Sequence, residues 1–208
     1  MNLHSSPHAA LREKLKQKRD AQNLRDMSRG ALLIRGRLFT WLATSQTRIN
    51  EEGRTPIQRI AAFWSLPGEP ELQPLLRQWA EEDGYEISLP VVCAPDAPLE
   101  FRVWNPGDTL HEGAWGIQEP TGPVAALPDI VLVPTLGYTR NGDRLGYGKG
   151  YYDRTLADWR ARGHAFTSMG VAWATGDLSQ EDYQPAAHDQ RLDGILTDKG
   201  WPLPAPQL

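Results

Sequence analysis

A single cysteine, Cys93, stands in 208 residues, so neither an intrachain disulfide nor a multi-cysteine zinc site can form. No apolar run approaches the roughly 20 residues that a membrane-spanning helix needs. The most apolar stretch, Ile130 to Val133, is only strand-sized. The N-terminus lacks an apolar signal-peptide core, so the expectation is a cytoplasmic protein. Internal repeats and low-complexity tracts are also missing. Nineteen Gly and seventeen Pro are too many for a helical bundle or a coiled coil. With 40% hydrophobic and 23% charged residues the chain can bury a core, which excludes wholesale disorder. The length suits one domain over residues 1–208.

The net charge of −4 is unevenly placed. Met1 to Arg48 carry ten Lys/Arg against three acids, a balance of +7, and the remainder holds −11. Two readings of this block stand: a solvated helix face, or an anion site for nucleic acid, a membrane surface or a nucleotide phosphate. RNA binding is the weakest of these, because the rest of the chain is acidic and carries no RNA motif.

Periodicity predicts basic helices first. Leu11 and Leu15 lie four apart on one face, and a second helix starts at Ser28 as cap with the stripe Ala31, Ile34, Leu38, Trp41 and Leu42. Ser45 to Arg59 reads as a loop. Strands are expected at Ile60–Trp64, Glu86–Val92, Leu99–Trp104, Asp129–Pro134, Ala165–Trp173 and Gly194–Thr197, with helices at Glu71–Glu82 and Tyr151–Arg162. Asp129–Pro134 (DIVLVP) is a continuous β-branched run of the kind buried on both faces of a parallel sheet. Strands interleaved with helices predict an α/β fold with a mostly parallel sheet covered on both sides.

The chemistry concentrates in VPTLGYTRNGDRLGYGKGYYDR, Val133 to Arg154. The segment leaves a strand, turns at Asn141-Gly142 and reaches Gly146, Gly148 and Gly150 just before a helix. Alternating glycines expose backbone N–H groups, and the following helix presents its positive end to an anion. Arg144 and Lys149 supply cations suited to phosphate oxygens. Asp153 is a carboxylate that could hold Mg²⁺ beside a polyphosphate. Neither GxxxxGK[ST] nor GxGxxG is present. A glycine-rich hairpin turn with a solvated lysine is the competing reading; the joint occurrence of Arg, three Gly, Lys, two Tyr and Asp favours phosphate.

RLGYGKGYYDR after a strand ending in VP resembles the signature of the 5-formyltetrahydrofolate cyclo-ligase family. The resemblance extends through Leu11-Arg12 in the basic first helix, Glu69 after a strand, LPVV at Leu89 to Val92, GIQEP at Gly116 to Pro120, and HDQRLDGILTDKG from His188 to Gly200. It implies a three-layer αβα domain and the ATP- and Mg²⁺-dependent closure of 5-formyltetrahydrofolate to 5,10-methenyltetrahydrofolate, with release of ADP and phosphate. In that chemistry the γ-phosphoryl group of ATP activates the formyl oxygen, N10 attacks, and phosphate leaves. The resemblance assigns catalysis to Arg144 and Lys149. ATP binding falls to His8, Arg12, Arg144, Leu145, Gly146, Tyr147, Gly148, Lys149, Gly150, Tyr151 and Tyr152. Folate binding falls to Trp64 and Glu69 with Tyr147 to Tyr151, and Mg²⁺ to Asp153 and Asp189. Glu119 is expected at or behind the pocket, and Trp115 and Trp173 in the core or pocket wall. The expected partners are small molecules alone, with no nucleic acid and no membrane, and the expected state is a monomer.

Three departures from the family pattern stand out. His8 occupies a position where many members carry lysine, Ala174-Thr175-Gly176 replaces a common glutamine, and the Ser45 to Arg59 loop looks long. They motivate the competing expectation of a folate- or nucleotide-holding protein without turnover.

Overall fold

The computed structural model describes residues 8–208, the side chain of Trp115 apart. In chain order the elements are α1 (Ala9–Asp20), α2 (Leu24–Glu51), β1 (Arg59–Ala61), α3 (Gln73–Glu81), β2 (Glu86–Val91), β3 (Glu100–Trp104), β4 (Leu110–Glu112), β5 (Gln118–Pro120), β6 (Ile130–Pro134), β7 (Gly137–Tyr138), β8 (Arg144–Leu145), α4 (Tyr151–Ala161), β9 (Thr167–Ala172), β10 (Gly194–Thr197) and β11 (Gly200–Leu203). Seven strands form one sheet in the order β11-β10-β9-β6-β1-β2-β3. The five central strands are parallel, and β3 and β11 close the two edges antiparallel.

The strand β6 explains the layering. Ile130 and Leu132 point into a core shared with α2 and α3, through Ile34, Leu38, Leu76 and Trp79. Val131 and Val133 point the other way, onto Leu156 and Trp159 of α4. Successive strand side chains alternate faces, so a run of four buried apolar residues needs helices on both sides. The result is the expected three-layer α/β arrangement. Leu156 and Trp159, each covered almost completely, contribute about 1.5–3 kcal/mol apiece and fix α4, whose first turn carries the glycine loop.

The second helix departs from expectation at both ends. Asn23, not Ser28, is its cap: the Asn23 side chain accepts from the Arg25 amide at 2.8 Å, while Ser28 Oγ donates within the helix to the Leu24 carbonyl. The helix also runs on to Glu51 through residues expected to be a loop. Its stripe continues as Ser45 and Ile49, and the polar Thr44 and Thr47 return their hydroxyls to carbonyls four residues back. Polar composition hid a period that tertiary burial completes.

The basic block is also not a merely solvated face. Lys14 and Lys18 clamp Glu181 at 2.8 and 3.0 Å. Arg35 bonds the Glu71 carbonyl, Arg37 the Asp198 carbonyl, and Arg48 the carbonyl of Leu208. The helices use these cations to hold the rest of the chain.

Candidate functional site

The parallel strands lie in the order β2-β1-β6-β9-β10, so the sheet reverses its winding between β1 and β6. In open α/β sheets the carboxyl ends of the two strands at such a reversal diverge and leave a crevice. A cavity of about 570 Å³ opens at this place, with Phe63 and Trp64 following β1 and Pro134 ending β6. The glycine segment Arg144 to Asp153 forms one wall, and His8 and Arg12 from the start of α1 close it beside Ala186, His188 and Asp189. Trp64, Leu66, Val92, Leu99 and Ile117 make the opposite side apolar. All the residues singled out from the sequence for catalysis, nucleotide, folate or metal therefore border one space.

The glycine wall is built backbone first. Gly148 has φ 94° and Gly150, the residue that caps α4, has φ 66°, a region costly for any residue with a Cβ. A Cβ on Gly148 would also lie 3.2 Å from Arg12 Cζ. Arg12 Nε donates to the Gly146 carbonyl at 2.8 Å, which lays a guanidinium along the loop. From the other side Arg154 donates to the Lys149 carbonyl at 2.6 Å and covers the Tyr151 ring. The loop is thus braced by two arginines and leads into the N-terminus of α4.

Arg144 lies at the floor. Its side chain is 4% exposed, and Nη2 donates to Asp153 Oδ2 at 2.8 Å. Asp153 Oδ1 accepts from the Gln190 amide. The Arg144 carbonyl accepts from the Tyr183 hydroxyl, and its guanidinium lies over the Tyr152 ring. Arg144 Nε and the Tyr152 hydroxyl are buried without a hydrogen-bond partner. Buried polar groups without a partner are rare in a fold and carry a desolvation cost, here concentrated at the cavity floor.

Glu69 stands across from the loop. Its Oε2 accepts from the Leu66 amide at 2.9 Å, and its carboxylate borders the same small space as Tyr147. Burial pushes the Glu69 carboxyl above its ordinary value, against the pull of Tyr147, the Leu66 amide and Arg19. Burial likewise raises the Tyr147 and Tyr152 phenols, which stay neutral donors.

The profile of the 5-formyltetrahydrofolate cyclo-ligase family matches residues 4–198 of this chain. The chain belongs to that family. A 5-formyltetrahydrofolate cyclo-ligase of Mycolicibacterium smegmatis is 32% identical over 156 residues, covering 71% of this chain and 75% of the relative. The Escherichia coli K12 cyclo-ligase is 31% identical, with 72% and 75% covered. The solved structure of Aquifex aeolicus 5,10-methenyltetrahydrofolate synthetase superposes with a TM-score of 0.73 at 26% identity, covering 93% of this chain and 90% of that one.

Other cyclo-ligase expectations meet the geometry differently. Glu119 is buried away from the cavity: it accepts from the Val92 amide at 3.0 Å and so positions a wall residue. Trp173 is core, its indole N–H donating to the Gly68 carbonyl, and the side chain of Trp115 lies outside the described residues. The Ala174–Gly176 stretch is a short 3-10 turn after β9. His8 holds the Gln184 carbonyl at 3.0 Å and packs on the Tyr183 ring. Tyr183 and Arg154 went unnoticed as site residues. Arg154 falls within the conspicuous YYDR run, whereas nothing near Tyr183 signals its role.

Among the described residues no group of three or more His, Cys, Asp or Glu side chains could hold a metal. Asp153 and Asp189 nevertheless both border the cavity, and Asp189 uses Oδ2 to accept from the Ala186 amide. Mg²⁺ takes one or two carboxylates and completes its shell with phosphate oxygens and water. A carboxylate that accepts one or two hydrogen bonds keeps lone pairs for a cation. The donor set fits Mg²⁺ arriving with a polyphosphate, not a resident metal cage.

Proposed function

We propose that this chain catalyses the ATP- and Mg²⁺-dependent conversion of 5-formyltetrahydrofolate to 5,10-methenyltetrahydrofolate, with release of ADP and phosphate. The observation that carries the reading is the meeting of a braced, cationic glycine loop and the Glu69 carboxylate across one cavity at the sheet's winding reversal. The relatives named as cyclo-ligases and the aligned synthetase structure support it.

The reaction joins two bound molecules, so the protein's first task is alignment. Backbone N–H groups of Gly146 to Gly150 and the start of α4 hold the phosphates of ATP, with Arg12 and His8 alongside. Arg144 and Lys149 balance the charge of the phosphoryl group as it moves to the formyl oxygen. Mg²⁺, when bound, neutralises phosphate charge, and Asp153 and Asp189 are the residues that would hold it. Glu69 accepts hydrogen bonds from the N–H groups of the pterin, while Trp64 and the apolar wall cover its ring. That wall also excludes water from the activated formyl carbon, so N10 is the nucleophile that reaches it.

The test is direct. Purified protein mixed with 5-formyltetrahydrofolate, ATP and Mg²⁺ should generate the strongly absorbing methenyl product, and omission of any one should stop it. Folded protein that yields no product at high enzyme concentration would overturn the reading. Tight folate binding by titration calorimetry without turnover would replace it with a holding protein.

A further inference from the structure

Behind Glu69 and Tyr147, away from the main cavity, α1 presents one more arginine. Arg12, Leu15 and Arg19 lie on one face of α1, at steps of three and four. Leu15 is buried between the two arginines, and Arg12 braces the loop at Gly146. Arg19 reaches the same loop two turns later: Nη1 lies 3.3 Å from the Tyr147 hydroxyl, while Nε bonds Asp20 at 2.9 Å. The Arg19 side chain is 15% exposed and lies flat on the backbone of Gly68, where an added Cβ would fall 2.8 Å from Nε. The indole N–H of Trp173 holds the Gly68 carbonyl from the other side. The small space enclosed by Arg19, Glu69, Tyr147 and Trp173 is about 10 Å³, roughly what one water centre needs.

Donor and acceptor counting gives this cluster a direction. A phenol has one proton, and a guanidinium has donors and no acceptor. The Tyr147 oxygen accepts from Arg19, which leaves its own proton to be donated toward the Glu69 carboxylate bordering the same small space. Glu69 is then held by the Leu66 amide on one side and faces the Tyr147 hydroxyl on the other, and its remaining lone pairs are oriented. The chain Arg19–Tyr147–Glu69 also joins α1, the glycine loop and the Leu66–Pro70 turn through a single hydroxyl.

We propose that Arg19 is a positioning residue of this cyclo-ligase site: through the Tyr147 hydroxyl it orients Glu69 for the folate and ties the folate side of the cavity to the glycine loop. The inference rests on the reading of Glu69 as the folate residue. Arg19 touches neither substrate. It acts on folate recognition, whereas Arg12, on the same helix face, acts on the loop backbone.

The experiment is steady-state kinetics on five variants, with thermal melts to establish folding. Arg19→Met keeps the aliphatic stem over Gly68 and removes the donor and charge; it should raise the KM for 5-formyltetrahydrofolate about tenfold, the loss expected for one hydrogen bond from a charged group. The KM for ATP should change less than about twofold, because the Arg12 brace remains. Arg19→Lys should recover most of the loss. Tyr147→Phe should match Arg19→Met, and the double variant should be no worse than the poorer single one, since both changes act through one hydroxyl. Tyr147→Phe removes only an oxygen, so the link is readable even if Arg19→Met fails to fold. Glu69→Ala separates the two levels. If Glu69→Ala raises the folate KM but Arg19→Met and Tyr147→Phe leave it within about twofold, this inference alone falls. If Glu69→Ala leaves the folate KM unchanged, the assignment of Glu69 falls and the inference with it. Additive losses in the double variant, or equal losses in ATP and folate KM, would also overturn it.

Discussion

Replacing Asp153 by asparagine gives a sharp energetic test of the cavity floor. Arg144 and Asp153 pair at 2.8 Å with side chains only 4% and 13% exposed. Removing one partner of such a pair leaves an uncompensated charge and costs about 3–5 kcal/mol. The lower end applies here, because asparagine still accepts from the Gln190 amide and the Tyr152 ring, 5.7 Å from Arg144 Cζ, retains some attraction for the cation. Arg144 Nε is already buried without a partner, so the guanidinium has no slack from which to recover. A loss of about 3 kcal/mol corresponds to a fall in Tm of about 6–12 °C for a domain of this size. Circular-dichroism melts of the ligand-free protein would read it, and the difference should survive added salt, because a buried pair is poorly screened. Adding Arg144→Met to Asp153→Asn removes the orphan charge, so the double variant should melt above the single one. A single variant within about 2 °C of wild type, or a double variant that melts lower still, would refute the account of a buried, mutually dependent pair.

Glu69→Gln should exchange stability for function. Burial raises the Glu69 carboxyl above its unfolded value, so its contribution to stability is complete below the ordinary carboxylate range and is lost as pH rises through the raised value. The glutamine variant escapes that loss; it should melt above wild type near pH 7, with the gain vanishing below about pH 4, and bind folate more weakly. Equal melting temperatures across that range would show that Glu69 ionises without penalty. Gly148→Ala should cost about 1–3 kcal/mol of backbone strain and push Arg12 off the loop, raising the KM for ATP more than that for folate. His8→Lys should lower the KM for ATP severalfold, an effect that fades with salt, because a permanent ammonium replaces an imidazole tied to the Gln184 carbonyl. An unchanged KM would remove residue 8 from nucleotide binding.

Local pattern determined a good deal of this molecule on its own. DIVLVP suits a strand buried on both faces, and all of it but Asp129 forms β6; Gly194 to Thr197 forms a strand over those same residues. The glycines of Arg144 to Asp153 stood out because residues without a Cβ let a loop expose its backbone N–H groups before a helix, and two of them, Gly148 and Gly150, are left-handed. Short pairings such as β4 with β5 and β7 with β8 left no comparable trace, since two or three residues hold no period. Nor did the far end of α2, whose polar residues are helical only because Ser45 and Ile49 find a core to enter. The strand order, and so the cavity at the winding reversal, came from packing alone. So did the meeting of Arg19 with Tyr147, 128 residues apart, and of Arg12 with Gly146. Residue type states which group can donate, accept or turn; distance between groups far apart in the chain is set by how the sheet's two faces are covered, and that only the folded whole decides.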